Sequence, residues 1–144
     1  MGFSVSGSAA IVFAGLFIAF GMFHSAATDS FERVSDAQQD QTNENVDQRN
    51  TAIDITSTSY DSGTGTLTVD VENTGATALS LNETDVIVDN TYETNWQDGA
   101  TVGGNAETDL LLPEETVTIT ISIGSQPDRV KVVTQHGVAD TEVV

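Results

Sequence analysis

The chain has 144 residues, with 22 acidic and four basic side chains, a formal net charge of −18 and no cysteine. Such a charge repels nucleic acid phosphates and anionic lipid head groups, which argues against a nucleic-acid-binding role. The absence of cysteine excludes a disulfide framework and a thiolate metal site. The acidic residues are spread along the whole chain, a pattern typical of a proteome adapted to molar salt. We therefore expect a halophilic protein; an ordinary acidic surface protein is the alternative.

The N-terminal segment is apolar, and its first charged residue is Asp29. As a helix, residues 3–23 would span roughly 30 Å, the thickness of the hydrocarbon core of a bilayer. A cleaved secretory signal usually has basic residues before a shorter apolar run, and none are present here, although residues 25–27 resemble a cleavage site. We predict a retained transmembrane anchor over residues 1–27; a cleaved signal and a buried core helix are the alternatives.

Small residues recur within this anchor at a spacing of four. Helices pack closely in membranes where such residues meet, so this spacing favours helix–helix packing; the alternative is ordinary lipid-facing variation. The candidate packing residues are Ala10, Ala14, Gly15 and Ala19.

Residues 28–50 are polar and contain neither glycine nor proline. Phe31, Val34 and Ala37 recur at helical spacing before the apolar stripe fades. We predict that the membrane helix continues into a polar helical stalk over residues 28–50. A flexible linker from Gln41 onward is the alternative.

From residue 51 the pattern changes to strict alternation. Leu67, Val69 and Val71 alternate with polar residues, and residues 117–123 repeat the pattern. This period of two indicates half-buried antiparallel strands, and turn residues such as Asn73, Thr74 and Gly75 separate them. We predict a mainly β protein, with an immunoglobulin-like antiparallel β-sandwich of about seven strands over residues 51–144. The weaker predicted strands are 79–81, 85–89, 91–96, 108–112 and 138–143.

No catalytic constellation is visible in the sequence. His24 lies at the predicted membrane boundary, His136 lies in a predicted turn, and no serine has a suitable partner set. The acidic residues match no calcium-loop motif. We therefore predict no enzymatic activity, no cofactor and no metal. Asn82 begins the one glycosylation sequon, Asn82-Glu83-Thr84, and is a candidate glycan site if the domain is extracellular.

The whole chain resembles a known family in three stretches: "MGFSVSGSAAIVFAGLFIAFG", "SFERVSDAQQDQ" and "DITSTSYDSGTGTLTVDVENTGATALSL". It is similar to the FlaF-type archaellum accessory proteins of haloarchaea, which are related to the FlaG type. The resemblance implies a single anchor in the cell membrane, with the sandwich outside the cell under the S-layer. It also implies a stator role, in which the protein binds S-layer glycoprotein together with a FlaG-type partner, and pairing into homo- or hetero-oligomers.

A pilin-like or archaellin-like filament subunit is the alternative function. Precursors of such subunits carry basic residues and a peptidase site just before the apolar stretch, and nothing basic precedes Ala9. A substrate-binding or enzymatic surface domain is a third class, for which the sequence offers no site. We therefore expect the stator function over the other two.

Overall fold

The computed structural model describes residues 2–144, with side chains from Ser6 onward. The chain divides into two compact units, Met1–Asn43 and Glu44–Val144. One helix, α1, runs over Gly2–Asn50 and contributes its last turns to the second unit. The residues from Gln41 onward, for which a flexible linker is the alternative prediction, are therefore helical. The division of this helix into an anchor and a stalk stays a prediction.

The second unit contains ten strands in antiparallel pairs. Two four-stranded sheets have the orders β1-β2-β8-β6 and β10-β9-β4-β5, and β3 pairs with β7 in a small third sheet. The strands are β1 Ile53–Asp61, β2 Thr66–Asn73, β3 Leu79–Ser80, β4 Asp85–Val88, β5 Thr91–Glu93, β6 Ala100–Val102, β7 Leu110–Leu111, β8 Thr116–Ser122, β9 Arg129–Val133 and β10 Ala139–Val143.

The core is formed by the alternating apolar residues of both four-stranded sheets. In the first sheet, Leu67 pairs with Ile121 and Val69 pairs with Ile119, and all four side chains are buried. The second sheet contributes the buried residues Val86, Val88, Val130 and Val132. The predicted helix and antiparallel sandwich are confirmed, whereas the immunoglobulin-like assignment stays a prediction.

Two predictions within the sandwich are wrong in detail. The predicted strand 91–96 ends at Glu93, and a 3-10 turn at Trp96–Gly99 places the Trp96 ring in the core, where it is 1% exposed. Strand β6 was absent from the sequence prediction because its three residues, between Gly99 and Gly103, are too few to show alternation. The sandwich has ten strands, against the predicted number of about seven.

Candidate anchoring and interaction surfaces

The large apolar side chains of α1 that the structure describes are exposed. The helix contains a window of 18 residues with a mean hydropathy of 1.9, none of it buried. Its aromatic side chains are largely exposed; Phe17 is 77% exposed and Phe23 is 70% exposed. Exposure of this much apolar surface to water is unfavourable by about 25 cal/mol for each Å². The helix is long and apolar enough to cross a membrane, where lipid would cover this surface.

The candidate packing residues of α1 fall on two separate strips. At 100° per residue, Ala10 and Ala14 lie about 40° apart, and Gly15 and Ala19 form a second strip about 140° further round. All four residues are exposed, and no atom lies within 4 Å of the Cβ position at Gly15. Their role in helix packing therefore stays a prediction.

Polar side chains appear on α1 at the end of its apolar run. The His24 ring stacks on Phe20, with the ring centroids 6.3 Å apart. The Thr28 hydroxyl donates to the His24 carbonyl at 3.0 Å, and the Ser30 hydroxyl donates to the Ala26 carbonyl at 2.7 Å. These hydroxyls are satisfied by the helix backbone, an arrangement that suits the edge of an apolar layer.

The C-terminal end of α1 is bound to the sandwich, within the second unit, at what we call the helix–sandwich junction (residues 47–52 and 75–77). The carbonyl oxygen of Asn50 accepts hydrogen bonds from the amides of Ala76 at 2.8 Å and Thr77 at 3.3 Å. The Gly75 amide donates to the Ala52 carbonyl at 3.0 Å. The last carbonyls of a helix lack partners within the helix, so the sandwich supplies them here.

Two side chains reinforce this junction. Thr51 is buried, and its hydroxyl donates to the Asp47 carbonyl at 2.8 Å. The Gln48 amide Nε2 donates to the carbonyl of His136 at 3.1 Å. The last two helical turns are therefore held from two loops of the sandwich.

Asn73 fixes the turn that forms the junction. Its side chain is fully buried; Nδ2 donates to the carbonyls of Thr77 at 2.9 Å and Leu111 at 3.1 Å, and Oδ1 accepts from the Gly75 amide at 3.1 Å. Sequence reasoning identified this Asn-Thr-Gly run only as a turn. The glycine was the available signal, since glycine often marks a close approach of two backbones.

The outer faces of the two main sheets differ in chemistry. On the first sheet, Asp70 accepts hydrogen bonds from the hydroxyls of Ser57 and Thr118, each at 2.7 Å. On the second sheet, Arg129 and Lys131 line a groove of about 230 Å³ together with uncharged residues. One face is therefore hydroxylic and acidic, and the other carries positive charge.

Tyr92 and Asp85 form a pair beside this groove. The Tyr92 hydroxyl donates to Oδ1 of Asp85 at 2.9 Å. The pKa of Tyr92 is raised above its ordinary value. The larger cause is the hydrogen bond to the Asp85 carboxylate, and a smaller one is the repulsion between that carboxylate and a phenolate.

The sequon residue Asn82 lies exposed in a 3-10 turn, Leu81–Glu83. Its Nδ2 donates to Oδ2 of Asp109 at 2.7 Å. Thr84 of the same sequon is buried, and its hydroxyl donates to the Ser80 carbonyl at 2.8 Å. The asparagine is thus accessible, and its glycosylation stays a prediction.

Several acidic side chains of the sandwich accept hydrogen bonds from neutral donors. Within the described residues, no group of three or more His, Cys, Asp or Glu side chains is arranged to hold a metal ion. Asp89, for example, accepts the amides of Asp128 at 2.9 Å and Arg129 at 3.1 Å.

Comparisons with known proteins give a family and a fold. Among solved structures, the chain is similar to the archaellum periplasmic stator protein FlaG from Sulfolobus acidocaldarius, with 21% identity and a TM-score of 0.50, covering 65% of this chain and 99% of that one. It is also similar to the FlaF and FlaG stator complex of that organism, with 18% identity and a TM-score of 0.45, covering 64% of this chain and 87% of that one. An exo-chitosanase from Amycolatopsis orientalis shares 20% identity and a TM-score of 0.38, covering 65% of this chain and 12% of the enzyme. No curated protein matches the chain in sequence.

The similarity to the FlaG stator protein supports the fold, and a family model matches almost the whole chain. The model for archaeal-type flagellin matches residues 2–143. The predicted resemblance to archaellum proteins is thereby confirmed for family and fold, whereas a haloarchaeal origin stays a prediction. The protein belongs to the archaeal-type flagellin family.

Proposed function

We propose that the protein is a stator component of the archaellum motor. In this proposal α1 anchors the chain in the cell membrane, and the sandwich lies outside the cell and binds S-layer glycoprotein. The observation that carries the proposal is the presence, in one chain, of an exposed apolar helix of membrane-spanning length and a sandwich whose fold covers 99% of the FlaG stator protein.

The helix–sandwich junction supports this function mechanically. A stator must resist torque, so a force on its envelope-binding part has to reach its anchor. Asn50, at the end of α1, is bound through its carbonyl to two amides of the sandwich, and the Gln48 side chain adds a bond to the His136 carbonyl. A force on the sandwich therefore acts on the last turns of α1 through several hydrogen bonds.

The sequence resemblance to FlaF-type proteins extends the proposal to partners. We propose that the protein binds a FlaG-type partner and that its sandwich pairs with other sandwiches in homo- or hetero-oligomers. The acidic surface, with its net charge of −18, supports protein partners over nucleic acid.

A filament subunit is the second candidate function, and the description of the family model as archaeal-type flagellin favours it. A filament would cover the exposed aromatic residues of α1 with neighbouring helices, whereas a stator would cover them with lipid. The two functions thus differ in where the protein is found and in what surrounds α1.

Fractionation of cells tests the two functions against each other. Filaments sheared from cells and washed membranes are each analysed by quantitative mass spectrometry, with the mature N-terminus determined in the same samples. A stator is expected in the membranes, with residues 6–23 retained, and in cells that stop swimming when the gene is deleted. Recovery of the protein as a main constituent of sheared filaments would establish the filament subunit instead.

A further inference from the structure

We propose that the outer face of the sheet β10-β9-β4-β5 binds a protein partner through Asp or Glu carboxylates of that partner. We call this surface the cationic face; it consists of Asp85, Ile87, Tyr92, Arg129, Lys131, Thr141 and Val143. The inference deepens the proposed function and rests on it, because it names the surface and the chemistry by which the sandwich holds an envelope protein.

The distribution of charge is the first observation. Residues 51–144 carry 16 of the 22 acidic side chains but only two basic ones, Arg129 and Lys131. Both lie on β9, two residues apart, and therefore project from the same side of the sheet. All the positive charge of the sandwich is thus placed on one face.

The two cations are not neutralised by the protein itself. Nη2 of Arg129 donates to the neutral Oδ1 of Asn90 at 2.7 Å. Among the described residues, no acidic side chain forms an ion pair with Arg129 or Lys131. The neighbouring carboxylates keep their charge but bond to neutral donors, since Asp85 accepts from Tyr92 and Asp89 accepts from two backbone amides. Both cations therefore remain available to an external anion.

The surroundings of the cations suit a protein interface. Lys131 lies opposite Ile87 on β4 and opposite Thr141 on β10, and these residues line the groove of about 230 Å³. Val143 and Tyr92 leave 73% and 52% of their surface exposed at the margins of the face. Protein interfaces are enriched in Tyr and Arg, and the guanidinium fork of arginine matches the two oxygens of a carboxylate.

The net charge of the sandwich favours an acidic protein segment over other anionic partners of the cationic face. A nucleic acid or an anionic membrane would bring many phosphates against a domain with 16 acidic residues and two cations. A folded protein offers one or two carboxylates together with apolar contacts. A symmetric dimer through this face would turn the cations of both copies towards one axis, so a second copy fits less well.

Titration of the full chain in nonionic detergent micelles tests this face. The probe is the peptide acetyl-Glu-Val-Thr-Glu-amide, and its glutamine counterpart is the neutral control. Backbone amide NMR shifts are followed at a salt concentration where circular dichroism shows an intact sheet. We expect saturable shifts confined to β4, β5, β9 and β10, and an apparent Kd at least about threefold weaker for the neutral peptide.

Matched variants separate the face from overall charge. The double substitution Arg129→Gln and Lys131→Gln is expected to weaken the binding about tenfold. The control Arg33→Gln and Arg49→Gln removes the same charge from α1, and its affinity should stay within about twofold of wild type. Equal losses in both variants, equal binding of both peptides, or an absence of saturable shifts would overturn the proposal.

Two further outcomes also count against an acidic protein segment. If phosphatidylglycerol vesicles produce the same shifts and the peptide does not, the face binds lipid. If the same amides shift on dilution without peptide, the face binds a second copy of the chain.

Binding to purified S-layer protein distinguishes a failure of this inference from a failure of the proposed function. If the Arg129→Gln and Lys131→Gln variant still binds S-layer protein, the proposed binding role of the cationic face is rejected and the stator function is not. If the wild-type protein binds the peptide but not S-layer protein, the stator function is rejected and the binding role of the face is not.

Discussion

Gly75 lies so close to the end of α1 that a Cβ atom at this position would be 2.5 Å from the backbone carbonyl oxygen of Asn50. Real Cβ atoms do not approach an oxygen this closely. The turn of the sandwich therefore contacts the helix end through bare backbone, and two amides of that turn bind the same carbonyl oxygen. This contact makes the helix end and the sandwich parts of one compact unit.

The substitution Gly75→Ala should destabilise this unit. We expect a loss of about 1–3 kcal/mol in the free energy of unfolding, because the backbone must move apart to admit a methyl group. The measurement is denaturant unfolding of the full chain in micelles, followed by the fluorescence of Trp96, the single tryptophan. Gly124→Ala is the matched control, since no atom lies within 4 Å of its Cβ position. Equal stability of the two variants would contradict the close approach.

Removal of the Asn73 side-chain amide should cost more. In Asn73→Leu, the buried carbonyl of Leu111 and the partly buried carbonyl of Thr77 each lose a partner, and the Gly75 amide keeps only the Ala52 carbonyl. Since an unsatisfied buried polar group costs about 1–3 kcal/mol, we expect a loss of about 2–4 kcal/mol in the same unfolding measurement. Asn95→Ala is the control, because Asn95 is exposed and makes no capping hydrogen bond. A Leu variant as stable as this control would show that the amide bonds contribute little.

The Tyr92–Asp85 pair predicts a pH dependence at alkaline pH. Its raised pKa means that the neutral phenol is favoured in the folded chain. The stabilisation of the folded state by this pair is therefore complete below the ordinary tyrosine pKa of 10.0. It is lost as the pH rises through the pKa of Tyr92 in the folded chain. In a Tyr60→Phe background, ultraviolet titration should give a lower pKa for Tyr92 when Asp85 is changed to Asn. An unchanged titration midpoint would remove the role of the Asp85 charge.

The charge of −18 predicts a requirement for salt. The Debye length grows from ~3 Å at 1 M to ~10 Å at 0.1 M, so repulsion between the acidic side chains increases as salt is diluted. We expect the sandwich to lose its β-type circular dichroism over this range, with Trp96 becoming exposed. Replacing the exposed Glu107 and Glu142 by Gln should move the transition to lower salt. A chain that stays folded at 0.1 M would show that its acidic residues serve another purpose.

The exposure of Asn82 predicts a glycan at this residue if the sandwich lies outside the cell. The intact mass of protein extracted from membranes should exceed the mass of the polypeptide, and Asn82→Gln should remove the excess. Asn90→Gln is the control, because Asn90 does not begin a sequon. An extracted protein with the bare polypeptide mass would contradict glycosylation. Protease added to intact cells stripped of their S-layer tests the location itself, since an external sandwich should be digested before lysis.

The sequence predicted the parts of the fold that depend on local pattern. In β2 and β8, seven or more residues alternate, and their buried apolar residues are those that the pattern indicated. Trp96 looked like the end of a strand because an aromatic residue suits a strand as well as a 3-10 turn. Two features could not be predicted because they depend on how segments distant in sequence pair. These are the contact of Gly75 with Asn50 and the position of Lys131 opposite residues of β4 and β10. The pattern of residues along one strand does not determine which residues of another strand lie opposite it.

The most direct test of the stator function is the binding of the full chain, in nonionic detergent and at a salt concentration that keeps it folded, to purified S-layer protein. The account predicts saturable binding by wild type, and a strain without the gene that does not swim. A folded wild-type protein that fails to bind S-layer protein, together with a deletion strain that swims normally, would contradict the stator function.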